Sequence, residues 1–386
     1  IFYRRFEDRT FEAYMERKIG GFLHLYTGQE AVATGVLDMA RTGQGADNDY
    51  VITGYRDHVH AIKTGAPARE VMAELYGKES GSSKGRGGSM HIFDASQNFM
   101  GGYALVGQPF PLAAGLAMGC KHKGTDQIAI CFLGDGANNQ GTFHETMNMA
   151  KVWNLPVLFV CENNQYAIGT HINRSTAVLD QYKRVCAYDM EASQHDGMDI
   201  DVVLEASKKA IDFVRSGKGP YFIEFMTYRY RGHSMSDAKG YRTKEEEAEW
   251  QKRDPIKIYS ERLIKDGIIK TADIKAMEKE IANQTIALSH ELVPLICQAS
   301  GVHRIRVVPL LWRYLDWCAK RKAWGYRKLP AELKDYALVP VLESVAGWIG
   351  ENTDLFITIA AVVGTFSAAI IAANTAMKVW NTVTAV

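Results

Sequence analysis

Short apolar runs alternate with helical stretches over the first 300 residues of the chain. We predict strands at residues 50–53, 127–133, 155–161 and 221–226, and helices at residues 58–63, 141–153 and 201–216. The strand runs are almost continuously apolar, which is typical of strands that are covered on both faces. The pattern therefore predicts an α/β fold with a parallel sheet flanked by helices. In such folds ligands bind beyond the carboxyl ends of the strands.

Two polar, glycine-rich stretches interrupt this alternation, at residues 77–90 and 228–242. They contain too much Gly, Ser and charge for core elements, so we predict loops. Loops of this kind on an α/β frame often carry function. Further along the chain, residues 256–298 have the pattern of two helices.

The chain changes character after residue 300. Residues 303–334 are rich in Lys and Arg, and residues 355–377 contain no charged side chain. A helix needs roughly 20 apolar residues to span a bilayer, so 355–377 is long enough, but its Ala, Thr and Ser residues equally suit a buried or interface helix. We predict one domain at residues 1–300 and a helical C-terminal extension of unassigned role at 301–386. Both interpretations of 355–377 stay open.

The net charge of +1 argues against nucleic-acid binding, which needs a broadly basic surface. The cysteines form no CxxC pair and have no metal-ligand spacing. Three of them fall in apolar runs, so we expect buried free thiols and a reducing compartment.

The strongest chemical signal is a pair of short motifs at the ends of two predicted strands. Gly134-Asp135-Gly136 follows the strand at 127–133, and Asn163-Asn164 ends the next strand after 26 intervening residues, 137–162. A Gly-Asp-Gly sequence alone is weak evidence, because strand-to-turn junctions often have that composition for steric reasons. Joined to Asn-Asn at the end of the following strand, it predicts a functional site.

These motifs supply the ligands that a metal-bound diphosphate needs. Mg²⁺ takes hard oxygen ligands, some of them from the phosphates themselves. We expect the protein ligands to be the Asp135 carboxylate, the Asn164 side-chain amide and the Tyr166 carbonyl. The turn at Gly136 and Ala137 can present backbone N–H groups to the phosphates.

Residues 134–164 resemble the thiamine-diphosphate motif of the alpha subunits of 2-oxo acid dehydrogenase complexes. The resemblance covers residues 1 to about 298 and includes four further stretches in the family's order. These are residues 21–31 (GFLHLYTGQEA), 55–58 (YRDH), 84–91 (KGRGGSMH) and 227–237 (TYRYRGHSMSD). The resemblance implies the thiamine-diphosphate-binding fold, with thiamine diphosphate and Mg²⁺ as cofactors.

The resemblance also implies roles for four side chains around the cofactor. Tyr55 and Arg56 would contact the diphosphate, since a guanidinium fork suits phosphate oxygens. His24 would lie at the substrate end of the site, where an imidazole can orient or protonate a 2-oxo acid. His233 would reach the phosphates when the loop at 228–242 orders. We assign catalytic roles to His24 and His233.

One segment departs from the family's pattern. Relatives usually read Gly-Ile-Val-Gly-Ala-Gln where this chain reads ALVGQP at residues 104–109. By resemblance, Val106 is the apolar wedge against the cofactor, and the Ala104 carbonyl accepts a hydrogen bond from the aminopyrimidine ring. The extra methyl group at Ala104 would shift ring position or substrate fit.

Residues 229–237 favour pyruvate over branched-chain 2-oxo acids. The resemblance implies decarboxylation, transfer of the acetyl group to a lipoyl-bearing acyltransferase core, and a beta subunit in an α₂β₂ heterotetramer that supplies an activating glutamate. It also implies a bacterial cytoplasm or a mitochondrial matrix, with membrane association if 355–377 spans a bilayer. The alternatives are an acetoin or branched-chain oxo acid dehydrogenase subunit, or a non-catalytic homologue anchored to a membrane or assembly.

Overall fold

The computed structural model describes residues 1–290 except Gln44 and Ala46, and for His290 the backbone alone. The predicted extension at 301–386, with its apolar stretch at 355–377, lies outside the described residues, as does the last part of the helical region predicted up to residue 298. Among the residues that are described, no helix is both long and apolar enough to cross a bilayer.

The described residues contain one six-stranded sheet, in which every neighbouring pair is parallel, and one short antiparallel hairpin. The strands are β1 (Tyr50–Gly54), β2 (Phe99–Tyr103), β3 (Ala129–Gly134), β4 (Val157–Asn163), β5 (Tyr166–Ala167), β6 (Thr170–His171), β7 (Glu191–Asp196) and β8 (Tyr221–Met226). The order across the sheet is β2-β1-β3-β4-β8-β7, and β5 pairs with β6. The carboxyl ends of β1, β3, β4 and β8 are therefore consecutive along one edge.

Helices cover both faces of this sheet. They are α1 (Phe2–Met15), α2 (Glu30–Met39), α3 (His58–Thr64), α4 (Ala68–Leu75), α5 (Pro109–Lys123), α6 (Gly141–Val152), α7 (Gln181–Arg184), α8 (Ile200–Phe213), α9 (Lys244–Lys252), α10 (Pro255–Lys265) and α11 (Thr271–His290). Alternate residues of β3 enter two separate cores, because successive side chains of a strand point to opposite faces. Ile130 and Phe132 pack with residues of α1, α2 and α8, whereas Cys131 and Leu133 pack with residues of α5 and α6. The predicted parallel α/β sheet is confirmed.

Four predicted strands are present in the six-stranded sheet, and its two other strands, β2 and β7, were missed, as was the short hairpin β5–β6. β2 contains two glycines and β7 is polar apart from Ala192, so neither shows an apolar run. Both lie at the edges of the sheet, where a strand has only one hydrogen-bonded neighbour. The start of β4 was also misplaced: it begins at Val157, after Pro156, because proline has no N–H to donate to a neighbouring strand.

The thiols follow the sequence expectation as far as the structure describes them. Cys120, Cys131 and Cys161 are buried and free, and Cys186 is exposed and free. Burial raises the pKa of Cys131 and of Cys161 well above that of an ordinary thiol, so both stay protonated and behave as small apolar side chains.

Candidate active site

The carboxyl ends of β1, β3 and β4 open into a cleft of about 240 Å³. The register of the sheet brings the two motifs together, because Gly134 of β3 lies opposite Glu162 of β4. Asp135 and Asn163 therefore leave neighbouring strands at the same level. The predicted site residues that line this cleft are Tyr55, Arg56, Val106, Asp135, Gly136, Ala137, Asn164 and Tyr166.

The three predicted metal ligands are adjacent. Asp135 Oδ1 accepts a hydrogen bond from the backbone N–H of Asn164 at 3.2 Å, and Asn164 Oδ1 accepts one from the N–H of Tyr166 at 3.4 Å. The Tyr166 carbonyl lies in the same turn and accepts a hydrogen bond from Arg229 Nη1 at 3.3 Å. A carboxylate, an amide oxygen and a backbone carbonyl thus converge on one side of the cleft, and these are oxygen ligands of the type that Mg²⁺ takes.

Asp135 is only 2% exposed, and its burial is the main reason why its pKa is raised to about 6. The hydrogen bond from Asn164 and the charge of Arg229 act in the opposite direction. The carboxyl group is therefore ionised at neutral pH but unfavourably solvated, as expected of a group that gains from a nearby cation.

The glycines on either side of Asp135 have different structural reasons. A Cβ at Gly136 would lie 2.6 Å from the Cβ of Ala167, whereas a Cβ at Gly134 would meet only Asn164 Nδ2, at 3.9 Å. Glycine is required at 136 because the turn after β3 packs directly on the hairpin β5–β6. This steric reason comes in addition to the predicted approach of the backbone to a phosphate.

We expect Gly136→Ala to lower the free energy of unfolding by about 1–3 kcal/mol, since the added methyl group overpacks the half-buried contact with Ala167. Gly134→Ala is the matched control. Its backbone angles suit alanine, with φ −74° and ψ 160°, so it should be neutral or stabilise the chain by up to about 1 kcal/mol. Urea unfolding of both variants makes the comparison. Equal unfolding free energies would contradict the packing argument.

Two buried arginines line the cleft. Arg56 donates through Nη1 to the Leu25 carbonyl at 2.7 Å and through Nη2 to the His233 carbonyl at 2.9 Å. Burial and the charge of Arg229 lower the pKa of Arg56 to about 10, so it remains a cation at pH 7. Two cations held in a low-dielectric cleft create a strong preference for an anion.

Arg229 was not predicted as a site residue. It is 1% exposed and donates to the carbonyls of Tyr166 and Ile168, the latter at 3.0 Å. The sequence stretch 227–237 was recognised, but nothing in it distinguishes Arg229 from the neighbouring Arg231. The distinction comes from the strand geometry, because Arg229 follows β8 at the edge where β4 also ends.

Gln29 was missed as well. It is completely buried, lines the cleft, and accepts a hydrogen bond from Asn164 Nδ2 at 3.0 Å through Oε1. Its own Nε2 has no hydrogen-bond partner. A buried N–H donor without a partner is costly, and this one belongs to a side chain of the cleft wall. An anionic ligand would satisfy it.

His24 and His233, the predicted catalytic residues, do not line the described cleft, but both pack against Tyr55, which does line it. The His24 ring centroid is 4.7 Å from that of Tyr55 and 5.1 Å from that of His233, and the Tyr55 and His233 centroids are 5.4 Å apart. Burial, followed by the charge of Arg56, lowers the pKa of His24 to about 2 and that of His233 to about 3. Both imidazoles are therefore neutral at pH 7, and Nδ1 of each has no hydrogen-bond partner.

The segment after β2 forms the outer lip of the cleft. Leu105 and Val106 line it and are 70% and 46% exposed. Ala104 lies at the beginning of the segment and does not line the described cleft. The loop is held on α6, because Thr142 donates its hydroxyl to the Gly107 carbonyl at 3.1 Å. Two large apolar side chains exposed at the lip of a cleft are typical of a surface that another group covers.

The model of the dehydrogenase E1 component family matches residues 1–289. Among the relatives, the pyruvate dehydrogenase E1 component subunit alpha of Rickettsia felis is 44% identical over 289 residues, which are 74% of this chain and 87% of the relative. The proteins of the same name from Rhizobium meliloti and Porphyra purpurea are 44% and 42% identical, over 72% of this chain and 79% and 81% of the relatives. The resemblance inferred from the motifs is confirmed, and the chain belongs to the dehydrogenase E1 component family.

Proposed function

We propose that this chain is the alpha subunit of a thiamine-diphosphate-dependent pyruvate dehydrogenase, the component that decarboxylates pyruvate and passes the acetyl group to a lipoyl domain. The observation that carries the proposal is the convergence of Asp135, Asn164 and the Tyr166 carbonyl beside two buried arginines. Membership of the dehydrogenase E1 component family favours a dehydrogenase reaction at this proposed diphosphate site. The relatives' names favour pyruvate over acetoin or branched-chain substrates.

In this proposal, Asp135, Asn164 and the Tyr166 carbonyl bind Mg²⁺. Within the residues that the structure describes, no cluster of three or more His, Cys, Asp or Glu side chains could hold a metal. A cation at Asp135 therefore needs further oxygen ligands, and the diphosphate can supply them. Metal and cofactor should bind together rather than independently.

The diphosphate fits the donors of the cleft. Its negative charge suits Arg56 and Arg229, and the unpartnered Nε2 of Gln29 can donate to a phosphate oxygen. By the family resemblance, the remaining diphosphate contacts are made by Tyr55, Gly136, Ala137 and His233. A bound anion would raise the lowered pKa of His233 and provide a partner for its ring.

Bound thiamine diphosphate supplies the nucleophilic carbon that decarboxylation of a 2-oxo acid requires. The chain's own residues then hold and orient the reactants. Val106 provides the apolar surface against the cofactor ring, and the Ala104 carbonyl accepts a hydrogen bond from it. His24, neutral at pH 7, orients the 2-oxo acid at the substrate end of the site.

The proposed partners are a beta subunit in an α₂β₂ heterotetramer and a lipoyl-bearing acyltransferase. The proposed compartment is a bacterial cytoplasm or a mitochondrial matrix. The exposed Leu105 and Val106 support the proposal of a beta subunit, because they form an uncovered apolar lip beside the cleft that a partner can cover.

The function is tested by assaying the chain with its beta subunit on pyruvate, acetoin and 3-methyl-2-oxobutanoate in the presence of Mg²⁺ and thiamine diphosphate. The rate with each substrate is measured as the substrate-dependent reduction of an artificial electron acceptor. We expect the highest kcat/KM with pyruvate. A higher value with acetoin or the branched-chain acid would reassign the substrate. No turnover of any of the three, with the cofactor bound, would favour the non-catalytic alternative.

A further inference from the structure

Three side chains that have no part in the proposed site, here called the polar chain, form a buried series of hydrogen bonds beside His24. Glu7 of α1 and His58 of α3 are completely buried, and Ser89 is 5% exposed. His58 Nδ1 lies 3.0 Å from Glu7 Oε2, and His58 Nε2 lies 2.9 Å from Ser89 Oγ. The order carboxylate, imidazole, hydroxyl is the one found in hydrolytic triads.

Ser89 is nevertheless not placed to act as a nucleophile. Its Oγ accepts a hydrogen bond from the backbone N–H of His24 at 3.1 Å, and its burial keeps a substrate carbonyl away. At the other end of the polar chain, Glu7 Oε1 accepts a hydrogen bond from the backbone N–H of Tyr26, also at 3.1 Å. The two ends of this polar chain thus hold two nearby backbone groups.

Together with Arg56, the polar chain fixes three consecutive residues. The N–H of His24 donates to Ser89, the carbonyl of Leu25 accepts from Arg56 Nη1 at 2.7 Å, and the N–H of Tyr26 donates to Glu7. Each of these side chains comes from a different part of the sequence. Backbone groups in non-repetitive structure need such partners when they are buried.

The imidazole of His24 depends on this anchoring. Its Nδ1 has no hydrogen-bond partner, and the ring is held by packing against Tyr55 and His233. A ring without its own hydrogen bond takes its position from its backbone and its neighbours. A shift of the backbone at His24 would therefore move the imidazole relative to Tyr55 and the cleft.

We propose that Glu7, His58 and Ser89 are positioning residues, which fix the backbone of residues 24–26 and thereby hold the His24 imidazole in place for the reaction. The inference rests on the proposed function, in which His24 orients the 2-oxo acid. The chain of hydrogen bonds is consistent within itself: Nδ1–H of His58 donates to the Glu7 carboxylate, and Nε2 meets the Ser89 hydroxyl. Burial lowers the pKa of His58, but the charge of Glu7, its hydrogen bond to the ring and the charge of Asp57 together outweigh burial and raise the pKa.

The test uses Ser89→Ala in the complex with the beta subunit, with Ser207→Ala as the matched control. Ser207 is also completely buried, on α8, and its hydroxyl has no hydrogen-bond partner. Because a displacement of about 1 Å costs roughly 100-fold in rate, we expect S89A to lower kcat by about 10- to 100-fold. Its affinity for thiamine diphosphate should not change, and S207A should keep the wild-type kcat.

A double-mutant cycle separates positioning from general destabilisation. If Ser89 acts through His24, adding S89A to H24A should cause no further loss of kcat. The same factor lost in both backgrounds would overturn the proposal, as would an S89A enzyme with the kcat of S207A.

Amide hydrogen exchange of residues 20–26 provides a readout that does not depend on activity. S89A should accelerate exchange there by about 10-fold or more, because the backbone N–H of His24 loses its buried acceptor, whereas S207A should leave exchange unchanged. Unchanged exchange in S89A would overturn the anchoring. If the wild-type complex fails to turn over pyruvate, the proposed function fails, and hydrogen exchange still decides whether Ser89 anchors this segment.

Discussion

We expect the isolated chain to decarboxylate pyruvate at least about 100-fold more slowly than the same chain with its beta subunit. The reason is that the isolated chain lacks a general acid or base, and such a group typically contributes about 100-fold or more to the rate. The carboxyl and imidazole groups described at or beside the cleft are already engaged or are neutral at pH 7. Asp135 is the proposed metal ligand, and Glu162 is hydrogen-bonded to Tyr26 and His60. The His24 and His233 imidazoles are neutral at pH 7.

The measurement is pyruvate-dependent reduction of an artificial acceptor as the beta subunit is titrated into a fixed amount of this chain. Activity should rise until the two subunits are equimolar. Replacement of the exposed Leu105 by Asp provides a control, because a charge on the apolar lip should weaken the activation without unfolding the chain. Full activity of the isolated chain would show that the catalytic acid lies within it.

We expect Asp135→Asn to weaken Mg²⁺-dependent binding of thiamine diphosphate by at least about 100-fold. Even the partners that merely orient metal ligands are worth roughly 10- to 100-fold in affinity, and Asp135 is the proposed carboxylate ligand itself. The wild-type affinity should also fall as the pH drops below about 6, where the raised pKa of Asp135 leaves the carboxyl group protonated. Isothermal titration calorimetry at pH 5.5 and 7.5 measures both effects.

The same variant should stabilise the chain in the absence of cofactor. The folded-state pKa of Asp135 is about 6, above the ordinary value of 3.8. The protonated carboxyl group therefore makes its full favourable contribution to the free energy of unfolding below pH 3.8, and this contribution is lost as the pH rises through 6. Asparagine mimics the protonated form, so D135N should raise the unfolding free energy at pH 7 by up to about 3 kcal/mol.

Asp189→Asn is the matched control, since the Asp189 side chain is fully exposed. It should change neither cofactor binding nor stability. Thermal unfolding of both variants without cofactor shows whether the burial of an ionised Asp135 is costly. An Asp135→Asn chain that binds thiamine diphosphate like the wild type would remove Asp135 from the metal site.

Much of the site could be predicted from the sequence because its residues lie next to strand ends. A parallel sheet brings the carboxyl ends of neighbouring strands to one edge, so Asp135 and Asn164 had to be close once β3 and β4 were recognised as neighbours. The apolar runs of β3 and β4 were sufficient for that. The edge strands β2 and β7 were not predicted, because the two glycines of β2 and the polar residues of β7 leave no continuous apolar run.

Arg229, Gln29 and Ser89 needed the tertiary structure. Nothing local separates Arg229 from Arg231, yet Arg229 is buried against the Tyr166 carbonyl while Arg231 stacks over Phe11 at 4.5 Å and remains partly exposed. The role of Gly136 likewise depends on Ala167, which lies in a different element. Contacts between distant segments decide these cases.

The sequence by itself determined the parallel α/β fold, the placement of the Gly-Asp-Gly and Asn-Asn motifs at the ends of neighbouring strands, and the family. These depend on periodicity and on residues fixed relative to their own strand ends, which are local properties of the chain. Only the tertiary structure decided that His24 packs against Tyr55 without lining the described cleft, and that Ser89 and Glu7 accept hydrogen bonds from the backbone N–H groups of His24 and Tyr26. The physical reason is that these hydrogen bonds join segments that lie far apart in the sequence. Neither periodicity nor the spacing of these residues predicts that the segments are in contact.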